Sequence, residues 1–325
     1  MRTSNQKAKL LHIARMFWEQ TDEGHGLTVP QIIAQLDAAG VRAERRAIYD
    51  DIQTLREWGM DIVCRKGKTF DYFLASRTFE LPELKLLVDA VQSSKFLTEK
   101  KSAQLIGKLE SLTSRAQAKQ LARQVYVSHR VKTMNESIYY NVDQIHLAIG
   151  ADRQIAFQYY EYTLDKKLRF KRGGELYTVS PYQLIWDDEN YYLVAYHPRY
   201  QTLSHFRVDK MARIRTVDRP RRPLEHPFDA GEYAKRMFGM FAGEQQTVQV
   251  AFAAHLIGVV IDRFGKEIIT APLPDGRFTA QFQTALSPGF FAWLMQFGRQ
   301  AELLAPLSAR QAFAQAMRQT LALYE

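Results

Sequence analysis

The sequence predicts a multidomain α+β protein built from four consecutive parts. Its 325 residues exceed what one ordinary hydrophobic core accommodates, so several domains are expected. Apolar residues follow helical spacing early in the chain, short aromatic-rich runs cut by turn residues occupy 180–217, and strand and helix patterns alternate after 247. These observations predict a winged helix-turn-helix domain over 1–75, a helical connector over 76–133, a small antiparallel β barrel over 134–219 and a C-terminal α+β sandwich over 240–325.

Composition and motif content argue against an enzyme. Cys64 is the single cysteine, which excludes an intramolecular disulfide and a cysteine-based zinc site. The sequence has no Walker loop, no dinucleotide-binding glycine motif, no nucleophile elbow and no zinc-protease motif, and its 8 histidines are dispersed. We therefore expect no catalytic residues, no metal and no cofactor.

Charge and hydropathy indicate a cytoplasmic protein. The first residues lack an apolar signal region, and the longest apolar stretch, 248–261, is too short to span a bilayer, so no membrane association is expected. The net charge is +9, and the connector segment 76–133 holds much of it, with 11 basic against 5 acidic residues. Any prediction of nucleic-acid binding must therefore rest on local clusters.

The third predicted helix, about 44–58 and ended by Gly59, carries the DNA-binding prediction. Ile48, Ile52 and Leu55 fall on one face, and polar side chains project from the other, as a helix that reads the major groove requires. Two predicted strands, 60–64 and 70–74, follow and are joined by a basic tip suited to phosphate contacts. The predicted contacts to double-stranded DNA are Arg45, Arg46, Tyr49, Gln53 and Arg56 on the helix, and Arg65, Lys66 and Lys68 on the hairpin.

The sequence leaves the role of this basic face and the role of Cys64 open. A three-helix domain with a solvated basic face would give the same pattern. Asp50 would lie on the DNA face and repel phosphate, so the base preference cannot be read from the sequence. Cys64 beside the basic hairpin is either a buried structural cysteine or a redox-sensitive thiol.

The barrel segment supplies a candidate ligand pocket. His205 and Arg207 alternate with Phe206 and Val208, so the first two share one face of a strand and the last two share the other. Guanidinium groups bind phosphate and tyrosines stack on bases, which predicts an anion and base pocket. Its predicted members are Tyr159, Arg169, Lys171, Tyr182, Tyr192, His205 and Arg207. The alternative is that the tyrosines are core residues and that Arg207 pairs with Asp209 or Glu175.

Three separated elements of the barrel segment resemble the WYL domain, a bacterial ligand-sensing module. These are the pair Pro181-Tyr182, the triplet Tyr191-Tyr192-Leu193 and the run from Phe206 to Lys210. Tyr191 stands where that family has the tryptophan of its naming triplet. The resemblance implies an SH3/Sm-like barrel. The family commonly has an arginine at the position of Tyr177, so one expected basic group is missing here.

The resemblance extends to both sides of the barrel. Residues 46–52 resemble the winged helix that usually precedes WYL domains, with departures at Glu44, Ala47 and Asp50, and residues 298–306 resemble the extension that often follows them. This implies a homodimeric, ligand-responsive transcriptional regulator that binds duplex DNA and an anionic effector, either a nucleotide or a short single-stranded nucleic acid. The alternatives are an RNA-binding or single-strand-binding adaptor, since small barrels bind single strands, and a redox-sensing regulator acting through Cys64.

Overall fold

The structure, a computed structural model, describes residues 3–121, 132–133, 135–224, 228–241 and 243–325. It divides into two units, Met1–Glu136 and Ser137–Glu325. Both mix helices with antiparallel sheets, which confirms the predicted combination of helices and antiparallel strands. Within the described ranges, no helix is both long enough and apolar enough to cross a membrane.

The first unit begins with three helices and a hairpin and continues into further helices. Its elements are α1 (Thr3–Gln20), β1 (Leu27–Thr28), α2 (Val29–Ala38), α3 (Arg45–Glu57), β2 (Ile62–Arg65), β3 (Asp71–Leu74), α4 (Leu81–Ser93), α5 (Glu99–Glu110) and α6 (Arg115–Leu121). The three strands form one antiparallel sheet in the order β1-β3-β2. The predicted connector, 76–133, also includes residues 122–131, which lie outside the described ranges.

Local sequence signals explain where α2 and α3 begin and end. Thr28 caps α2, because its hydroxyl accepts a hydrogen bond from the Gln31 N–H while the Gln31 side chain accepts one from the Thr28 N–H. Gly59 follows α3 with φ +109°, a conformation that side chains disfavour. The core of this region consists of side chains from α1, α2, α3 and the sheet, among them Ile13, Phe17, Ile32, Leu36, Ile48, Ile52, Ile62 and Leu74.

Polar contacts join α1 and the loop after it to the start of α6. The Ser114 hydroxyl donates to the buried Asp22 carboxylate, which also bonds the His25 ring and the Gly24 N–H. Burial alone would raise the pKa of Asp22, but these hydrogen bonds hold it below its ordinary value. Arg115 pairs with Glu19 on α1 in the same region. The helical bundle and the connector are therefore tied together within this unit.

The second unit contains two antiparallel sheets, each with its own helices. Its elements are α7 (Ile138–Gly150), β4 (Arg153–Tyr162), β5 (Leu168–Phe170), β6 (Tyr177–Asp187), β7 (Asn190–His197), β8 (Thr202–Arg207), β9 (Met211–Pro220), α8 (Ala230–Lys235), β10 (Glu244–Ala253), α9 (Ile257–Phe264), β11 (Ile269–Pro272), β12 (Arg277–Leu286), α10 (Pro288–Met295), β13 (Ala301–Ala305) and α11 (Leu307–Leu321).

The first of these sheets has the order β5-β4-β6-β7-β8, and β9 pairs with β4. Its buried face packs against α7 through Ile145 and contains Phe157 and Leu193. Phe206 and Val208 lie in this core, as the alternation in the sequence predicted. The side chains of β8 that point away from this core are therefore the ones available for polar contacts.

The second sheet has the order β11-β12-β10-β13 and an aromatic-rich core around Phe252, Phe290 and Trp293. A smaller apolar cluster lies between the two sheets. It joins Ile185 and Val194 of the first sheet to Met237 and Met240, which follow α8, and to Ala285 of β12. The segment around α8 thus packs against both sheets.

Candidate nucleic-acid and effector sites

Helix α3 presents two different faces. Ile48, Ile52 and Leu55 are buried in the core, whereas every residue predicted to contact DNA on this helix is exposed. The exposed residues are Arg45, Arg46, Tyr49, Gln53 and Arg56. An apolar back and an exposed polar front are what a groove-reading helix needs.

Some of these exposed side chains already have intramolecular partners. Arg45 Nε donates to the Tyr49 hydroxyl at 3.0 Å, and Gln53 Nε2 donates to Glu57 Oε1 at 3.1 Å. Arg56 Nε donates to the Ile62 carbonyl at 2.7 Å, which fastens α3 to β2. Arg56 therefore has a structural role that its exposed position did not indicate.

The tip of the β2–β3 hairpin leaves two lysines available. Arg65 is held by two hydrogen bonds to its cross-strand partner Asp71 and by one to the Glu23 carbonyl at 2.7 Å. Lys66 and Lys68 are exposed, and neither forms an ion pair with the residues that the structure describes. The positive charge best placed to meet an external phosphate at this tip therefore belongs to the two lysines.

Cys64 lies on β2 and is half-buried. Its cross-strand partner on β3 is Tyr72, whose ring centroid is 6.4 Å from that of Tyr49 on α3. The redox role considered for Cys64 stays a prediction.

In the barrel segment, Arg207 is engaged by an internal carboxylate. Its Nε donates to Asp209 Oδ1 at 3.0 Å, and its Nη2 donates to Asp209 Oδ2 at 2.8 Å and to Asn190 Oδ1 at 2.9 Å. The hydrogen bond to Asp209 raises the pKa of the Arg207 guanidinium. The internal pair that the sequence left open is therefore present, and a ligand at Arg207 would have to compete with it.

Two of the predicted tyrosines do lie beside Arg207. Tyr192 is its cross-strand partner on β7, and the Tyr159 hydroxyl accepts the Arg207 backbone N–H at 3.1 Å. Burial raises the pKa of Tyr159 to about 12 and also raises the pKa of Tyr192. The charge of Arg207 lowers the pKa of Tyr192 and the charges of Asp187 and Asp188 raise it, so charges of both signs lie near this ring.

His205 faces the segment around α8. Its Nε2 is 2.7 Å from the Tyr233 hydroxyl, and Tyr233 packs with Phe228 in the apolar cluster between the two sheets. Burial lowers the pKa of His205 and raises the pKa of Tyr233 to about 12. This part of the predicted pocket is therefore covered by the chain itself.

The other predicted ligand residues make separate contacts. Arg169 and Lys171 both pair with Glu161. The Tyr182 hydroxyl donates to the Arg222 carbonyl at 2.9 Å, and the Arg221 guanidinium lies 5.8 Å from the Tyr182 ring centroid. The structure thus assigns the seven residues to different sets of contacts, and their roles as ligand residues stay predictions.

A cation lies beside Tyr177 that the sequence did not predict. The guanidinium of Arg172 lies 4.1 Å from the centroid of the Tyr177 ring, and its Nη2 donates to the Tyr200 hydroxyl at 3.0 Å. His197 is buried next to Arg172 and Tyr200, and its ring centroid is 4.7 Å from that of Tyr200. The signal that could have found this group was the basic stretch 166–174 together with the missing arginine at position 177.

Comparisons with known proteins identify two domains in the second unit. Residues 140–216 match the WYL domain, and residues 244–321 match the WCX domain. No curated protein matches the chain.

Two solved structures are similar to the chain at low identity. Proteasome accessory factor B/C (PafBC) of Arthrobacter aurescens is 19% identical, with a TM-score of 0.27, over 99% of this chain and 49% of that one. A CRISPR Cas-related protein is 14% identical, with a TM-score of 0.36, over 67% of this chain and 60% of that one. The chain therefore spans about half the length of the PafBC chain. The two domain matches show that the chain contains a WYL domain followed by a WCX domain.

Proposed function

We propose that this protein is a ligand-responsive transcriptional regulator that binds duplex DNA, and that it is not an enzyme. The observation that carries the proposal is α3, whose apolar face is buried while Arg46, Tyr49 and Gln53 are exposed. In this proposal α1–α3 and the β2–β3 hairpin form a winged helix, and α3 enters the major groove. The WYL domain at residues 140–216 supports a regulatory role.

In this proposal α3 contacts the bases and the β2–β3 hairpin contacts the phosphates. Arg46 and Gln53 are long polar side chains on the exposed face of α3, suited to base edges. Lys66 and Lys68 at the hairpin tip have no ion-pair partner in the described part of the chain, which suits them to phosphates beside the groove. Specificity should therefore depend on α3, and salt dependence on the hairpin.

The test is selection of a preferred duplex site followed by binding measurements on variants. Arg46→Ala should weaken binding to the preferred site by roughly 1–3 kcal/mol, whereas Lys66→Ala should weaken all sequences alike and reduce the salt slope by about 1. Arg318→Ala, an exposed arginine on α11, is the matched control. If footprinting with the full chain at low salt finds no protected duplex, the assignment is wrong. A stronger affinity for RNA than for duplex DNA would favour the adaptor alternative.

The WYL domain is proposed to be an SH3/Sm-like barrel that senses an anionic ligand, either a nucleotide or a short single-stranded nucleic acid. Arginine and tyrosine supply the charge-assisted hydrogen bonds and stacking that such a ligand requires. A thermal-shift screen with nucleotides and short oligonucleotides tests this, because a ligand that binds the native state raises the apparent melting temperature.

We also propose that the protein acts as a homodimer. One winged helix contacts a short site, and two copies on a two-fold axis would bind an inverted repeat. Light scattering on the free protein and on its DNA complex tests this; a monomer in both states would exclude the dimer.

A further inference from the structure

We propose that Arg172, His197 and Tyr200 form a binding site for a phosphate group, separate from the surface around Arg207. The site rests on the ligand sensing proposed above and gives it a location. Its ligand would be a phosphate ester that carries an aromatic base.

The turn before β6 fixes the position of Arg172. Residues Lys171–Gly174 form a 3-10 turn in which Arg172 has φ +54° and Gly173 has φ +64°, both left-handed. The Gln158 side-chain amide donates to the Gly174 carbonyl at 2.6 Å and fastens the turn to β4. This backbone directs the arginine over the Tyr177 ring, where its guanidinium stacks at 4.1 Å. A cation therefore occupies the neighbourhood of position 177 although the residue there is a tyrosine.

Arg172 differs from its neighbours in lacking a counter-charge. Arg169 and Lys171 pair with Glu161, and Arg207 pairs with Asp209. Within the described ranges Arg172 forms no ion pair, and its hydrogen bond goes to the neutral hydroxyl of Tyr200. A half-buried guanidinium without a carboxylate is suited to an external anion, because phosphate oxygens match its donor geometry.

Both ring nitrogens of His197 face N–H donors. The Arg199 backbone N–H is 3.2 Å from His197 Nδ1, and Arg172 Nη2 is 3.4 Å from His197 Nε2. A neutral imidazole has only one acceptor nitrogen, so one of these two contacts sets a donor against a donor. Burial lowers the pKa of His197, and the charges of Arg172 and Arg199 lower it further. An anionic oxygen placed beside both groups would satisfy the two donors and offset the positive charge.

Tyr200 lies at the solvent-exposed side of the site. The residue is 58% exposed, and its hydroxyl accepts a hydrogen bond from Arg172. An exposed aromatic ring next to an anion site offers a stacking surface for a base. Arg199, also exposed, adds a further cation at the entrance. Together these features favour a nucleotide or the phosphate of a single strand over a bare inorganic ion.

The test measures the NMR signals of the His197 ring in the full chain labelled with ¹⁵N-histidine. The protein is titrated in turn with inorganic phosphate, a nucleoside monophosphate and a short single-stranded oligonucleotide. Binding should shift the His197 signals and raise the pKa of His197, because a bound anion stabilises the imidazolium. Arg172→Met should weaken binding at least about tenfold, the loss expected for one charge-assisted contact. Arg215→Met, which removes an exposed arginine on β9, should leave the affinity unchanged.

Other outcomes distinguish a failure of the proposed Arg172 site from a failure of the proposed ligand sensing. Arg172→Lys keeps the charge and should retain part of the affinity, which controls for a fold lost in Arg172→Met. Binding that survives Arg172→Met but is lost in Arg207→Ala would overturn this site while sensing stands. If none of the three probes binds the wild-type chain, both the site and the proposed sensing fail. Binding of the oligonucleotide without the monophosphate, or the reverse, supports the site and identifies the source of the phosphate.

Discussion

Arg207 and Asp209 are joined by two hydrogen bonds, from Nε to Oδ1 at 3.0 Å and from Nη2 to Oδ2 at 2.8 Å. The pair spans the point where β8 ends and the 3-10 turn Val208–Lys210 begins. Val208 between them is fully buried, so both charged side chains emerge on the same side. The pair therefore fixes the end of the strand.

The first prediction concerns this pair. Arg207→Ala should lower the free energy of unfolding by about 1 kcal/mol, because a partly exposed ion pair is worth little but the substitution also removes the hydrogen bond to Asn190. Chemical denaturation measures the change. Asp209→Asn is the partner variant: if Arg207 also serves a ligand, removing the competing carboxylate should strengthen ligand binding. An unchanged ligand affinity in both variants would show that Arg207 is purely structural.

The second prediction separates two arginines on α3. Arg46→Ala should reduce affinity for the preferred duplex without changing the melting temperature, because the exposed side chain has no partner in the described part of the chain. Arg56→Ala should lower both, because it removes the hydrogen bond to the Ile62 carbonyl and loosens the hairpin from the helix. The expected cost in stability is about 1 kcal/mol. Equal melting temperatures for the two variants would contradict this assignment.

The third prediction concerns the cap of α2. Thr28→Ala removes the oxygen that accepts the Gln31 N–H and should destabilise the protein by about 1 kcal/mol. Thr69→Ala, an exposed threonine in the hairpin loop, is the matched control and should leave the stability unchanged. Denaturant unfolding followed by circular dichroism compares the two. A cost below the error of the measurement would show that the cap is replaced by water.

The fourth prediction is a pH dependence at His205. Burial lowers its pKa below the ordinary 6.5, so the unfolded chain takes up this proton more readily than the folded one. The stability contribution is therefore fully present above pH 6.5 and is lost as the pH falls below it. His205→Gln should flatten this part of the profile of melting temperature against pH, whereas the exposed His146→Gln should not. Parallel profiles for wild type and His205→Gln would rule out His205 as the responsible group.

Features set by neighbouring residues could be predicted from the sequence. The two faces of α3 and the alternation of Phe206 and Val208 depend on spacings of a few residues, and the structure confirms them. The Arg207–Asp209 pair could also be predicted as an alternative to ligand binding, because the two residues are only two positions apart in the sequence. Local patterns suffice when the interacting groups lie within one turn or one strand.

Contacts between distant segments could not be predicted. Arg172 meets His197 and Tyr200 only because a left-handed turn before β6 directs it across the strand, 25 and 28 residues away in sequence. Tyr233 reaches His205 from α8, again 28 residues away. The spacing of apolar and polar residues in the sequence does not predict such contacts, because each contact depends on how several elements pack.

The hydrogen bond from Ser114 to Asp22 bears on how this chain can be divided. A fragment ending at residue 75 would keep the Asp22 carboxylate without its partner Ser114, 92 residues further on, and would also lose the Arg115–Glu19 pair. Transplanting α1–α3 and the β2–β3 hairpin into another protein therefore requires that the segment through α6 be included. Chimeras joined after residue 121 should inherit a self-sufficient module, whereas those joined at 75 should be prone to misfold.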